Sequence, residues 1–231
     1  MTWKRVNGLY VRDGHLLEPR TPDQVSRDSY RLGEKVLASD PGFGVNPPLI
    51  IPLTRGGEAI YSKIVSVFRG ATKAAGHGNV LIRYVPIEVK RYNEGEIGSP
   101  GSRIYVNDID ARQARHALDD YDVGLIVDDV MDKGRSIDEV KKMLLKKKKK
   151  ILVAVLDKKC GKSEVETDVD FWVNEHHDRK IGGVMYPTWV VYDWERDEHP
   201  PELWSRLFPM LDENPSAWYR FFTKIARKSP F

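Results

Sequence analysis

The stretch Gly124-Leu-Ile-Val-Asp-Asp-Val-Met-Asp-Lys-Gly-Arg-Ser136 restricts the possible folds more than any other part of this chain. Leu125, Ile126 and Val127 are apolar in succession, so a strand built from them needs cover on both faces, as in the centre of a parallel sheet. Asp128 and Asp129 follow at once. Ligands of open α/β sheets bind beyond the carboxyl ends of the strands, and acids placed there point to a site. Met131 to Ser136 then turns into a helix with apolar positions at Ile137, Val140, Met143 and Leu144. Gly134 lets the backbone take positive φ or come close to a ligand. Ser136-Ile-Asp-Glu139 has the spacing of a capping box, so Ser136 is expected to cap the helix. Turn amides, the helix dipole and the Ser136 hydroxyl together suit a phosphate. An ordinary helix start with solvated acids accounts less well for strand, acid pair, glycine and serine in that order.

The flanking chain supplies the rest of an α/β sheet. Leu49 to Leu53 reads as a short buried strand, Thr54-Arg-Gly-Gly57 as its exit turn, and Ile60, Ile64, Val67 and Phe68 as one face of the helix that follows. Val80 to Val89 alternates as the next strand, and strand, helix, strand implies parallel pairing. A helix from about Pro22 to Ala38, with Val25, Leu32, Val36 and Leu37 apolar, is expected beside the core. Asp40 to Pro48 is a loop broken by Gly and Pro. Ile104 to Val106, a short helix around Ala111 to Ala117, and strands at Ile151 to Leu156, Phe171 to Val173 and Trp189 to Tyr192 complete the pattern. Trp3 to Val11 reads as an irregular start. Lys90 to Arg103 is polar, glycine-rich and long for a connection, which suggests a mobile loop. Asn214-Pro215 offers a helix cap and first-turn proline, and Trp218, Phe221, Phe222 and Ile225 an apolar face, for a docked terminal helix or a dimer contact. The expected division is therefore a main domain over 1–199 and a helical extension over 200–231.

Charge and cysteine usage narrow the function classes. A net charge of +3, from 37 basic and 34 acidic residues, does not by itself imply a nucleic-acid partner. The run Lys146 to Lys150 falls after an apolar helix, where cations oppose the dipole; a solvated helix end is expected, with a nucleic-acid patch as the alternative. No apolar run approaches the roughly 18 residues that cross a bilayer. Met1-Thr-Trp-Lys-Arg lacks a secretory apolar segment, and the single Cys160 forms no internal disulfide, so a cytoplasmic setting is expected. One cysteine excludes a cysteine-based metal cage. His176 and His177 have no third ligand at a suitable spacing and are expected to be solvated.

VDDVMDKGRS resembles the phosphoribosyl-pyrophosphate signature of the type I phosphoribosyltransferases: an apolar strand, two acids, a short spacer, then Thr-Gly-x-Thr or Ser. That resemblance implies an α/β fold of type I, a central and mostly parallel sheet flanked by helices, with a small hood and a C-terminal helical extension. It implies that Asp128 and Asp129 hold the ribose hydroxyls and a magnesium ion. Asp132, Lys133, Gly134, Arg135 and Ser136 would hold the 5′-phosphate. Lys133 departs from the family by replacing a threonine, exchanging a hydroxyl donor for a cation. Thr54, Arg55, Gly56 and Gly57 are similar to the family's pyrophosphate loop, although such a turn alone is commonplace. Val89-Lys90-Arg91-Tyr92 resembles the entry to the mobile catalytic loop of hypoxanthine-guanine enzymes, with Arg91 in place of serine. A closing lid would keep water from an oxocarbenium-like centre; the alternative is a surface loop with no role.

Two further segments resemble the purine enzymes, the xanthine-guanine group above all. In Asp157-Lys-Lys159, Lys158 would donate to a 6-oxo group, with Lys159 as its rival. In Tyr186 to Glu195, Trp189 would stack on the base, the Val190 backbone would read its edge, and Trp194-Glu195 matches the family's ending, with Asp193 in place of the usual proline and Glu195 implied as a further base-binding residue. Trp189 and Trp194 are also readable as core aromatics. Asp132 is the implied general base for the purine nitrogen. The resemblance implies magnesium-dependent transfer of phosphoribosyl from phosphoribosyl pyrophosphate to guanine, xanthine or hypoxanthine. It also implies a nucleoside monophosphate and pyrophosphate as products and a homo-oligomer, with no membrane or nucleic-acid partner expected. The rival is a regulator of the same fold that binds phosphoribosyl pyrophosphate or a nucleotide as a signal. An orotate enzyme is disfavoured by the Trp-Val and Trp-Glu pairs.

Overall fold

A computed structural model of the chain describes residues 3–78, 80–92, 103–145, 149–160, 168–198 and 201–208. The first residues form strands β1 (Trp3–Val6), β2 (Leu9–Arg12) and β3 (His15–Arg20), an antiparallel meander where an irregular start was expected. The reason is turn chemistry. Asn7-Gly8 and Asp13-Gly14 all take positive φ, which suits two-residue hairpins whose twist matches the strands.

Helix α1 (Pro22–Ser39) leads through a short turn to β4 (Leu49–Pro52) and α2 (Gly56–Ala74). The segment expected as a strand over Val80 to Val89 runs beside β4, but pairs with it only through isolated parallel bridges at Ile50↔Tyr84 and Leu53↔Ile87. Its hydrogen bonds show why. Val85 N donates to Ile50 O and Ile87 N to Pro52 O, while the rung between them needs an N–H that Pro52 lacks. A ribbon follows, β5 (Val89–Tyr92) against β6 (Arg103–Val106), then α3 (Asp108–Ala117). Asn107 caps α3 by accepting from the amides of Ile109 and Asp110.

Next come β7 (Val123–Met131), α4 (Arg135–Leu144), β8 (Lys150–Lys159) and β9 (Phe171–His176). The sheet order is β4-β7-β8-β9, parallel throughout. Its apolar residues Leu49, Ile51, Ile126, Val153 and Val155 are buried against Ala114 and Ala117 of α3 and Ile137, Val140 and Leu144 of α4. β7 does not stop at Val127; it carries both acids and ends at Met131. These elements belong to one compact unit, residues 23–178.

A second unit combines residues 1–22 with the chain from Arg179 onward. It contains the hairpin β10 (Arg179–Ile181) and β11 (Val184–Tyr186), then β12 (Thr188–Tyr192) and α5 (Pro201–Leu207). β12 joins β3 in parallel, giving the order β1-β2-β3-β12. Leu17, Val191, Leu203, Trp204, Leu207 and Phe208 form its core. The terminal helix expected after Asn214 and the lysines at 146–148 lie outside the described residues. Among the described residues, no helix is long and apolar enough to cross a membrane.

Candidate active site

β4 delivers Thr54-Arg-Gly-Gly57 to the carboxyl end of the sheet. Arg55 sits at φ 68°, ψ −82°, a positive-φ conformation that is uncommon without glycine and stores strain. That turn swings Gly56 and Gly57 into the start of α2 and against β7. A Cβ on Gly57 would lie 2.2 Å from the carbonyl oxygen of Val127. A Cβ on Gly56 would lie 2.2 Å from the carboxyl carbon of Asp129 and 2.4 Å from both its oxygens. The expected diphosphate turn and the expected ribose acid are therefore in direct contact. Thr54 ties the turn to the β5 strand: its N–H donates to Ile87 O at 3.0 Å, and its Oγ1 accepts from Val89 N at 3.2 Å.

The acid pair is oriented by its own backbone. Asp128 Oδ1 accepts from Asp129 N at 3.0 Å, and Asp129 Oδ1 accepts from Val130 N at 2.7 Å. Adjacent residues of a strand project to opposite faces, so one acid lies on Gly56 and the other turns away. Asp132 follows in the turn after β7, its Oδ1 3.5 Å from Lys159 Nζ. Gly134, at φ 75°, is the N-cap of α4. This corrects the capping expectation: Ser136 lies inside the first turn, no side chain caps this end, and Glu139 reaches Lys142 at 3.1 Å instead. The dipole end of α4 thus faces the turn holding Asp132, Lys133 and Gly134, while Arg135 and Ser136 form its first helical residues.

The two candidate lysines separate by strand alternation. Lys158 Nζ lies 4.2 Å from the Trp172 ring centroid and 3.6 Å from Asp168 Oδ1. Lys159, on the opposite face, is the lysine that reaches Asp132. Below it, Asp157 is fully buried with His176 Nε2 2.6 Å from its Oδ1. His176 is accordingly not solvated, because a buried carboxylate requires a partner; His177 is exposed as expected. Asn174 Nδ2 donates to Asp28 Oδ2 of α1 at 3.3 Å. The partners Lys159–Asp132, Asp157–His176 and Asn174–Asp28 were not anticipated. Their only sequence signal is polar residues alternating at the ends of two apolar strands.

Lys90, Arg91 and Tyr92 lie in β5, with Lys90 Nζ 2.7 Å from Glu88 Oε1. The Lys90 ammonium, helped by Asn107, holds the Glu88 carboxyl below the usual range. The loop expected as a lid, residues 93–102, lies outside the described residues.

In the second unit, Trp189 is half-buried, with the Arg12 guanidinium 5.4 Å from its ring and His15 edge-on at 6.0 Å. Val190 is buried in β12. Glu195 Oε2 accepts from Tyr192 N at 3.0 Å, and Trp194 stacks on Tyr192 at 4.6 Å and 8°. Burial pushes the Asp193 carboxyl up to about 6.

The chain matches the family model described as phosphoribosyl transferase domain over residues 25–187. No curated protein matches it in sequence. Its fold is similar to that of a hypothetical protein from Neisseria gonorrhoeae with bound ppGpp, at TM-score 0.54 and 18% identity over 85% of this chain and 97% of that one. It is also similar to Trypanosoma cruzi hypoxanthine phosphoribosyl transferase, at TM-score 0.51 and 19% identity over 68% and 76% of the two chains. A purine phosphoribosyltransferase from Pyrococcus horikoshii matches at TM-score 0.50 and 22% identity over 77% and 93%.

Proposed function

The chain belongs to the phosphoribosyl transferase domain family, and from that premise we propose that it transfers a 5-phosphoribosyl group from phosphoribosyl pyrophosphate to a ring nitrogen of a 6-oxopurine, releasing pyrophosphate. One observation carries the reading: the Asp129 carboxylate lies on Gly56, so the turn suited to a diphosphate adjoins the acid suited to a ribose. Phosphoribosyl pyrophosphate presents those groups side by side. The 5′-phosphate is assigned to the turn from Asp132 to Ser136, where the uncapped start of α4 and Lys133 favour an anion. Arg55 adds charge for the diphosphate.

The donor set suits magnesium, since Asp128 and Asp129 offer hard carboxylate oxygens whose orientation is set by neighbouring amides. Bound there, the ion neutralises charge on the leaving diphosphate. Asp132 takes the proton from the purine nitrogen, and Lys159 holds its carboxylate by charge. Lys159 also replaces Lys158 in our assignment of the donor to the 6-oxo group, because Lys159 lies on the face that carries Asp132, whereas Lys158 projects to the opposite face beside Trp172. Trp189 and Val190 are assigned to the base; the hydrogen bond from Tyr192 makes Glu195 a brace for that strand end. Purine salvage, a homo-oligomer, a cytoplasmic setting and a catalytic domain over 1–199 with an extension over 200–231 belong to the same reading.

A second reading has one observation in its favour, the bound ppGpp of the Neisseria protein. It makes the chain a regulator that binds phosphoribosyl pyrophosphate or a nucleotide, with Lys133 and Arg91 as its departures from the catalytic pattern. The test is direct. Purified protein, magnesium and phosphoribosyl pyrophosphate are incubated with hypoxanthine, guanine, xanthine, adenine or orotate, and pyrophosphate and monophosphate are measured. A 6-oxopurine product supports transfer; no product with any base, despite cofactor binding, supports the regulator.

A further inference from the structure

β8 and β9 end side by side in parallel register, Lys158 opposite Glu175 and Lys159 opposite His176. The ladder continues past the strand, since Cys160 N donates to His176 O at 2.9 Å. Glu175 and His177, two residues apart on an extended chain, therefore project to the same face, and Cys160 comes up beside them from the neighbouring strand. The Cys160 sulfur, a Glu175 carboxylate oxygen and a His177 ring nitrogen all lie within 4.8 Å of one another. One cysteine cannot build a cage alone, but the sheet gives it an imidazole and a carboxylate from a strand distant in sequence.

We propose that Cys160, Glu175 and His177 form a site for a borderline-soft divalent metal ion of the zinc class, with its fourth position open to water or an external donor. The ligand chemistry selects against magnesium and calcium, which take oxygen, and for zinc, which takes sulfur, nitrogen and oxygen together. Bonds of about 2.0–2.3 Å in a tetrahedron place ligand atoms roughly 3.3–3.8 Å apart. Closing the cluster onto an ion thus needs a movement of about 1 Å, which exposed Glu175 and His177 side chains on a fixed ladder make by rotation. One Glu175 oxygen already accepts from Trp172 Nε1 at 2.9 Å, and the other faces His177 Nε2 at 3.9 Å. Trp172 supplies the outer hydrogen bond that orients a ligating carboxylate.

Binding replaces a proton. The Cys160 thiol, held protonated by burial and by Glu175, releases its proton to buffer as the thiolate takes the metal. The Lys158 ammonium over Trp172 opposes a second cation nearby, so binding is expected to be weaker than at a four-ligand structural zinc site. The site uses none of the residues assigned to phosphoribosyl transfer.

The test titrates the full chain with cobalt(II), then displaces it with zinc. The expected result is one equivalent of metal per chain, with a thiolate-to-cobalt charge-transfer band and the intense visible spectrum of a four-coordinate ion. Cys160→Ser removes the band. His177→Ala and Glu175→Gln each weaken zinc binding by roughly tenfold or more, with far-UV circular dichroism of the metal-free proteins unchanged. Absence of the charge-transfer band in the unmodified chain, or unchanged zinc affinity in both the His177→Ala and Glu175→Gln proteins, overturns the site. Because those two residues are exposed, their substitution keeps the test readable even if Cys160→Ser fails to fold.

Discussion

Two neighbouring glycines allow the site geometry to be separated from the fold. At Gly57 an alanine methyl would meet the Val127 carbonyl oxygen at 2.2 Å, with Pro52 backbone atoms at 3.1 Å. Ordinary carbon–oxygen contact is about 3.3–3.6 Å, so the backbone of β4 or β7 must yield by about 1 Å in the sheet centre. Overpacking of this kind costs roughly 1–3 kcal/mol or more, set against about 0.5–1 kcal/mol gained by alanine in a helix. At Gly56 the obstacle is the side chain of Asp129, 2.2 Å away, which can rotate. Gly56→Ala should therefore fold with near-normal stability while displacing the acid by about 1 Å. A misplacement of that size costs about 10²-fold in a positioned reaction. The assays are thermal unfolding and calorimetric binding of magnesium phosphoribosyl pyrophosphate, followed by turnover. Gly57→Ala is expected to lower the unfolding midpoint by several degrees, and Gly56→Ala to lose binding or turnover with little change in midpoint. If Gly56→Ala binds and turns over like the parent, the Asp129–Gly56 contact has no part in the site.

Four other perturbations test neighbouring parts of the structure. Asp132→Asn should lower turnover far more than the affinity for phosphoribosyl pyrophosphate, read by steady-state kinetics; unchanged turnover removes Asp132 from proton transfer. Lys159→Met should raise the KM for the base where Lys158→Met does not, and the reverse order would restore Lys158 to that role. Asp193, raised by burial to about 6 from 3.8, favours folding while protonated; that stability is present below pH 4 and is lost as pH rises through 6. A shift of two units is about 3 kcal/mol, and partial exposure reduces the expected gain of Asp193→Asn at pH 8 to the order of 1–2 kcal/mol, vanishing by pH 4 in denaturant titrations. His176→Ala leaves the fully buried Asp157 without its 2.6 Å partner, an expected loss of about 3–5 kcal/mol in urea unfolding.

What was legible in the chain followed from continuous patterns. Leu49 to Leu53, Leu125 to Val127 and Ile151 to Leu156 are apolar without interruption, and each became a strand of the parallel sheet because only burial on both faces accommodates such runs. For Gly134 the sequence suggests positive φ or close approach to a ligand, and its φ of 75° agrees with the first. The misreadings arose where one atom decides. Pro52 has no N–H, so the Val80 to Val89 partner pairs only at bridges. Gly134 takes the cap expected at Ser136, since the left-handed residue starts the helix two residues earlier than the Ser-x-x-Glu spacing implies. The opening strands replace the irregular start expected over Trp3 to Val11, and Asn7-Gly8 and Asp13-Gly14 carry the hairpin signal. Cross-strand pairs such as Asp157–His176 depend on register, which a single chain does not display.

The hydrogen bond from Val89 N to Thr54 Oγ1 has a thermodynamic consequence. It makes the first residue of the β5–β6 ribbon and the turn before α2 parts of one linked equilibrium. A ligand that immobilises Thr54 also lowers the entropy left for the ribbon to lose, and anything that steadies the ribbon raises affinity at the turn by the same factor. Removing that one hydroxyl, by Thr54→Val, should uncouple the two without emptying either.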